Sequence, residues 1–161
     1  MPLSSLDLWT AQVSRHLAHL NAGVLRGLSL YSFGIMLLGT SGQSTVAAFL
    51  SLLLARPFNT VRQQLREVVY DHADKAGRKR TDFDITTCFV PLLEWVLHFF
   101  APDQRTLVLA IDVTYLRDTF AIFAVSVVMA GCSIPVAWHI QPTAQKGAWN
   151  PVWQRLLQIL Y

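Results

Sequence analysis

Asp112 is the residue in this sequence whose surroundings most suggest chemistry. It lies in the middle of residues 107–115, a run that carries no other charged side chain. Apolar residues alternate along this run, which predicts a β-strand with Asp112 on the face opposite Ile111 and Val113. An ionised carboxylate within an apolar strand is costly unless it is paired with a cation or bound to a metal. The sequence therefore leaves two interpretations of Asp112: an ion pair with a nearby cation such as Arg117, or a metal ligand.

The residues around Asp112 predict three strands and a helix, which would hold it in an antiparallel sheet. The strands are expected at residues 107–115, 119–129 and 132–140. Ala130 and Gly131 fit a two-residue hairpin turn between the second and third strands. Asn150 followed by Pro151 predicts a helix, with Asn150 as its N-cap. The second strand is almost entirely apolar, so we expect it to be covered on both faces.

Three pieces of this region carry a family resemblance. They are Ala110-Ile111-Asp112 with Thr114, the run from Gly131 to Trp138, and Lys146-Gly147-Ala148-Trp149. With them, residues 109–149 resemble the start of the catalytic domain of insertion-sequence DDE transposases. The resemblance implies an RNase H-like fold, in which the first-strand aspartate binds two Mg²⁺ ions that support DNA strand cleavage and transfer. It also implies that Asp112 is a catalytic residue and a metal ligand, the first acid of the DDE triad.

The remaining acids of that triad are missing from this sequence. The family needs a second aspartate and a glutamate further toward the C-terminus, yet none of the ten acidic residues lies after Asp118. Asp118 itself falls in the predicted turn after the first strand and is interpreted as a surface residue. A single aspartate does not hold two metal ions. We therefore expect a truncated transposase that does not cut or join DNA by itself, and whether this chain is an enzyme stays open.

The N-terminal part of the sequence predicts four helices. They are expected near residues 6–20, at 23–38, at 44–55 and from about residue 60. Asn59 or Thr60 is expected to cap the fourth helix. One side of this helix would be apolar, with Val61, Leu65, Val68 and Val69, and the other would carry Arg62, Gln63, Gln64 and Arg66.

The third and fourth helices, joined by a tight turn, predict a helix-turn-helix that binds DNA. Arginine and glutamine on the second helix would reach bases or phosphates in a major groove. The alternative is a helical hairpin that serves only for packing. The upstream helices also resemble the N-terminal DNA-binding region of the transposase family.

A basic segment follows the helices, because four of the six residues 75–80 are lysine or arginine. The wider segment of residues 56–80, which holds seven basic and three acidic residues, would lie along a phosphate backbone. The alternative is a solvated linker between domains. The residues expected to contact DNA are Arg62, Gln63, Arg66, Lys75, Arg78, Lys79, Arg80 and Lys146. The chain is thus predicted to be α+β. Residues 1–73 form a helical DNA-binding region, residues 74–105 a basic linker and helix, and residues 106–161 a partial RNase H-like domain.

The composition is unusually apolar for a soluble protein. Hydrophobic residues make up 53% of the chain and charged residues 14%, whereas an average soluble domain has about 25% charged residues. In an RNase H-like fold, further strands and helices pack against this sheet. Because we expect a truncated domain without them, we also expect an exposed strand edge and an exposed apolar face. Self-association, a partner chain or poor solubility should follow.

The sequence is compatible with three hypotheses about function. The first is the truncated DDE transposase, with DNA transposon ends as its partner and either a homodimer or a full-length transposase as a second partner. The second is a catalytically dead DNA-binding regulator derived from one. The third, a small membrane protein, is disfavoured because the turn-forming residues 39–45 divide the first uncharged run into pieces too short to span a bilayer. No membrane partner is therefore expected, and two cysteines without CxxC spacing fit a cytoplasmic location.

Overall fold

The computed structural model describes residues 2–70, 72–74, 83–101, 103, 106–145, 147 and 149–161. Within them the chain is α+β, with six α-helices and one three-stranded antiparallel sheet. The chain divides into two compact units, Met1–Phe83 and Asp84–Tyr161.

Four helices build the first unit: α1 (Pro2–His16), α2 (Ala22–Leu38), α3 (Gln43–Leu53) and α4 (Phe58–Val69). The side chain of Asn21 caps α2 by accepting hydrogen bonds from the backbone N–H groups of Gly23 and Val24. Gly39 ends this helix in the left-handed conformation (φ 64°), which glycine adopts without strain. The break expected at residues 39–45 is therefore present.

The core of the first unit lies where α2, α3 and α4 meet. Its fully buried residues include Val46, Leu50, Val61 and Leu65. A Cβ atom added to Gly34 would collide with Val46, so this glycine allows α2 and α3 to approach closely.

Two expectations about α4 are wrong. Pro57 occupies the N-cap position instead of Asn59 or Thr60, because proline cannot continue the preceding segment but tolerates the extended conformation before a helix. Val69 is 61% exposed rather than part of the apolar side, since the helix turns it away from the core that buries Val61 and Leu65.

The longest apolar helices do not reach membrane-spanning length. No single helix among the described residues is long and apolar enough to cross a bilayer. Taken together, α2 and α3 are long and apolar enough to cross a bilayer. The chain bends by 98° at the break between these two helices.

The second unit begins with a short 3-10 helix (Ile85–Cys88) that continues into α5 (Phe89–Leu97). Its sheet contains β1 (Leu109–Leu116), β2 (Phe120–Met129) and β3 (Cys132–Pro142), and α6 (Asn150–Leu160) follows. Pro91 lies within the first turn of α5 and does not interrupt the helix, because backbone N–H groups there need no partner inside the helix. Trp149, not Asn150, is the N-cap of α6.

The sheet has the order β1-β2-β3, with both neighbouring pairs antiparallel. Ala121, Phe123, Val125 and Val127 of the central strand are buried, and the first three form one apolar cluster with residues of α5 and α6. The expected coverage of β2 on both faces is wrong. Its alternate residues are less protected, and Phe120, for example, is 40% exposed, because the covering helices pack on the face of Phe123.

Candidate functional site

The backbone of β1 places Asp112 at the centre of the strand, opposite Ala124 of β2. Within this unit β1 is an edge strand, and the side chain of Asp112 is exposed. Its carboxylate accepts a hydrogen bond from the hydroxyl of Thr114, which lies two residues further on the same face of the strand (3.2 Å from Oγ1 to Oδ2). The partner that the structure gives Asp112 is thus Thr114 and not Arg117.

The exposure of Asp112 corrects one step of the sequence argument. A carboxylate in contact with water does not suffer the desolvation cost that was inferred from its apolar neighbours. The run of Leu109, Ile111 and Val113 looked like a buried strand, but Ile111 is 55% exposed because no further element covers this edge in the described chain. Asp112 is therefore an accessible acidic group rather than a strained buried one.

The described residues do not fit a two-metal Mg²⁺ site. They contain no group of three or more histidine, cysteine or acidic side chains placed to bind a metal. Asp118 sits in the β1–β2 turn with φ 53°, and its backbone carbonyl accepts a hydrogen bond from the hydroxyl of Thr143. Asp112 supplies a single carboxylate to such a site, so no catalytic step follows from the described residues of this chain.

The solvent face of α4 forms a shallow polar groove of about 490 Å³. It is lined by Arg56, Asn59, Thr60, Gln63, Gln64 and Glu67. Arg56 donates a hydrogen bond from Nη1 to the side-chain oxygen of Gln64 (3.1 Å), and Gln63 donates from Nε2 to Glu67 (3.3 Å). These local pairs hold amide and guanidinium groups in fixed positions on the helix surface.

Arg62 and Arg66 lie on α4 but do not line the groove. Both are half-buried, as Gln63 and Gln64 are, which differs from the exposed positions expected from the sequence. The guanidinium of Arg66 lies over the ring of Tyr70, 5.0 Å from its centroid, a stacking contact that favours the cation. The Nε atom of Arg62 is shielded from solvent and has no hydrogen-bond partner among the residues that the structure describes.

Several expected DNA contacts lie outside the described residues. They are Lys75, Arg78, Lys79, Arg80 and Lys146. Of the remaining ones, the structure brings Gln63 into the groove on α4 and leaves Arg62 and Arg66 beside it. Asn59 and Thr60 were expected only as caps of the helix and not as groove residues. Their spacing of three or four residues from Gln63 and Gln64 is the helical signal that would have placed them in the groove.

Among the described residues of the second unit, Asp84 and Cys88 have shifted pKa values. The side chain of Asp84 accepts hydrogen bonds from the hydroxyl and the backbone N–H of Thr86 (2.7 and 2.9 Å), and these bonds lower the pKa of Asp84. The positive charge of Arg155 acts in the same direction. Burial raises the pKa of the Cys88 thiol, so this thiol stays protonated and unreactive.

Known proteins give no independent assignment of these sites. Comparisons with protein-family models, with curated proteins and with solved structures found no match to this chain. The functional conclusion therefore depends on the residues and geometry described above.

Proposed function

We propose that this chain is a DNA-binding fragment of an insertion-sequence DDE transposase. One observation carries the proposal. Three antiparallel strands follow one another in sequence order, a helix then packs on the sheet, and an accessible aspartate stands at the centre of the first strand. This is the arrangement that the sequence resemblance implies for the start of an RNase H-like domain. DNA as the partner would place the protein in the cytoplasm.

The groove on α4 supports the DNA-binding part of the proposal. Arginine can contact phosphates or guanine, and glutamine and asparagine can pair with base edges in the major groove. Arg56, which lies just before α4, and Asn59 and Gln63, which lie on α4, present such groups to one groove. In the proposal, α3 and α4 form a helix-turn-helix with α4 as the recognition helix, and the basic residues 75–80 neutralise backbone phosphates.

In the intact transposase, Asp112 would be one carboxylate ligand of the Mg²⁺ ions that promote strand cleavage and transfer. The other acids would come from outside these 161 residues, because no acidic residue follows Asp118. We expect the chain alone to leave transposon-end DNA intact in the presence of Mg²⁺. Cleavage by the purified chain that disappears in Asp112→Ala would contradict this expectation.

A matched pair of arginine substitutions tests the DNA-binding surface. Arg66→Gln removes a positive charge from the flank of α4, and Arg15→Gln removes the same charge from the end of α1 in the same unit. If α4 contacts DNA, Arg66→Gln weakens binding and lowers the slope of log affinity against log salt by about one, whereas Arg15→Gln leaves both nearly unchanged. Equal effects of the two substitutions, at equal thermal stability, would contradict the assignment of α4.

A second candidate function is a regulator that pairs with a full-length transposase. The exposed edge of β1 favours it, since an unpaired apolar strand is a template for another chain. This candidate predicts that the chain lowers transposition by an intact transposase in a reconstituted assay. Substitution of Ile111 by lysine would relieve that inhibition without changing DNA binding. Inhibition that Ile111→Lys does not relieve would contradict pairing through β1.

A further inference from the structure

The second unit contains a cavity of about 320 Å³ that the proposed function does not use. Residues from three separate segments line it: the start of α5, the end of β3 with the loop after it, and α6. The groups relevant to binding are Phe89, Trp138, His139, Gln141, Gln145 and Arg155. Its volume is at the lower end of the range of small-molecule sites, roughly 300–1,000 Å³, so it suits a single small ligand.

One wall of the cavity is aromatic. The rings of Phe89 and Trp138 lie 4.9 Å apart between centroids, and their planes are inclined by 55°. Phe89 is fully buried while Trp138 is only half-buried, so Phe89 fixes the indole from behind and leaves part of it open to the cavity. A held aromatic ring of this kind stacks with flat ligands, and every nucleobase offers a flat π-face.

Gln141 supplies an amide group to the wall of the cavity, and the residue is 9% exposed. An amide offers one acceptor and two donors, the combination that pairs with the edge of adenine.

Among the described residues that line this cavity, Arg155 is the one lysine or arginine, and His139 is the one histidine. Its guanidinium is exposed and can bind a phosphate through two parallel hydrogen bonds. Asp84 lies close enough for the charge of Arg155 to lower the pKa of that carboxyl. The oxygen Oδ1 of Asp84 accepts two hydrogen bonds from Thr86, and Arg155 acts on this carboxyl through its charge.

We propose that this cavity binds one nucleotide, with the base stacked on Trp138 and paired with Gln141, and the phosphate held by Arg155. The nucleotide would come either from solution or from an unpaired position in a DNA strand, since both offer the same base and phosphate. The proposal does not depend on DNA binding by α4.

Calorimetric titration of the full chain with deoxyadenosine monophosphate tests this directly. We expect binding that is about tenfold tighter than that of deoxyadenosine, because the charged contact to Arg155 contributes on the order of one power of ten. Arg155→Gln should remove this difference. The control Arg117→Gln, an equal charge change in the β1–β2 turn of the same unit, should preserve it. Asp84→Asn should tighten binding, because it removes the anion that competes for Arg155.

Two DNA duplexes distinguish the source of the nucleotide. One is fully paired and the other carries a single unpaired deoxyadenosine. If the protein prefers the second duplex, and both Arg155→Gln and Gln141→Leu abolish this preference, the site binds an unpaired nucleotide of DNA. If the protein binds both duplexes equally and also binds the mononucleotide, the site binds a free nucleotide. The proposal is overturned if the mononucleotide does not bind at millimolar concentration and the protein shows no preference for the duplex with the unpaired deoxyadenosine. It is also overturned if Arg117→Gln weakens binding as much as Arg155→Gln. Mononucleotide binding without any DNA binding would instead contradict the proposed function and leave this site standing.

Discussion

The helical unit and the sheet unit bury their apolar residues to different degrees. In the first, α2, α3 and α4 surround Val46, Leu50 and Leu65 on all sides. In the second, helices cover the face of Phe123, while the opposite face of the sheet and the free edge of β1 lie open. A helix can bury a stripe against its neighbours, but a three-stranded sheet has two faces and two edges to cover. Among the described residues of the sheet unit, β1 is therefore an apolar edge strand without a neighbour on its outer side.

The largest expected contrast lies within the sheet. Phe123→Ala removes a fully buried ring and should lower the free energy of unfolding by about 3–5 kcal/mol. Ile111→Ala, on the exposed edge strand, should lower it by about 1 kcal/mol or less. Urea unfolding of both variants checks the prediction. Similar losses would mean that β1 is covered in solution by something that the described residues do not supply.

The helical unit allows the same contrast within one helix. Leu50 is fully buried in α3 and Leu52 is 83% exposed. Leu50→Ala should cost about 2–5 kcal/mol, whereas Leu52→Ala should change stability by no more than about 0.5 kcal/mol. The midpoints of urea unfolding measure both. A large loss in Leu52→Ala would show that this side of α3 is also an interface.

The open edge of β1 should make the chain self-associate. Sedimentation at increasing protein concentration should show dimers or larger species, and Ile111→Lys should raise the association midpoint about tenfold, or about 1.4 kcal/mol. Leu52→Lys is the control, because it places the same charge on an exposed leucine of the other unit. A wild-type chain that stays monomeric at every concentration would rule out β1 as an association surface.

A smaller effect is expected at the start of the sheet unit, where Asp84 caps the short helix before α5. Asp84→Ala should cost about 1 kcal/mol at neutral pH. Because hydrogen bonds from Thr86 lower the pKa of Asp84 in the folded state, this stability is present above its ordinary pKa and is lost as the pH falls through the lowered value. Asp84→Asn, which keeps a capping oxygen, should retain much of the stability without that pH dependence. A wild-type advantage over Asp84→Ala that persists in acid would contradict the charged cap.

Local patterns in the sequence located the elements well but not their surroundings. Alternating residues and the Ala130-Gly131 turn predicted all three strands, since side-chain periodicity and turn conformation depend on neighbouring residues. The exposure of Asp112 could not be predicted in this way, because it depends on whether another element packs beside β1. The apolar composition of β2 suggested two covered faces, yet Phe120 remains exposed where no helix reaches.

For the site residues too, the sequence predicted local positions but not the surroundings that depend on packing. Gln63 was found because its helix and polar side are readable from the spacing, whereas the partly buried position of Arg62 depends on how α4 packs in its unit. The cavity lined by Phe89, Gln141 and Arg155 joins segments that are far apart in sequence. No local pattern brings such residues together, so it became visible only in three dimensions.

The central claim is that this chain binds DNA through charged contacts to phosphates. It is tested most directly by measuring the affinity of the full chain for duplex DNA across a series of salt concentrations. We expect binding at low salt, and the log of the affinity should fall linearly with the log of the salt concentration, with a slope of magnitude about 0.9 per neutralised phosphate. Absence of binding at low salt, or an affinity that does not change with salt, would contradict it.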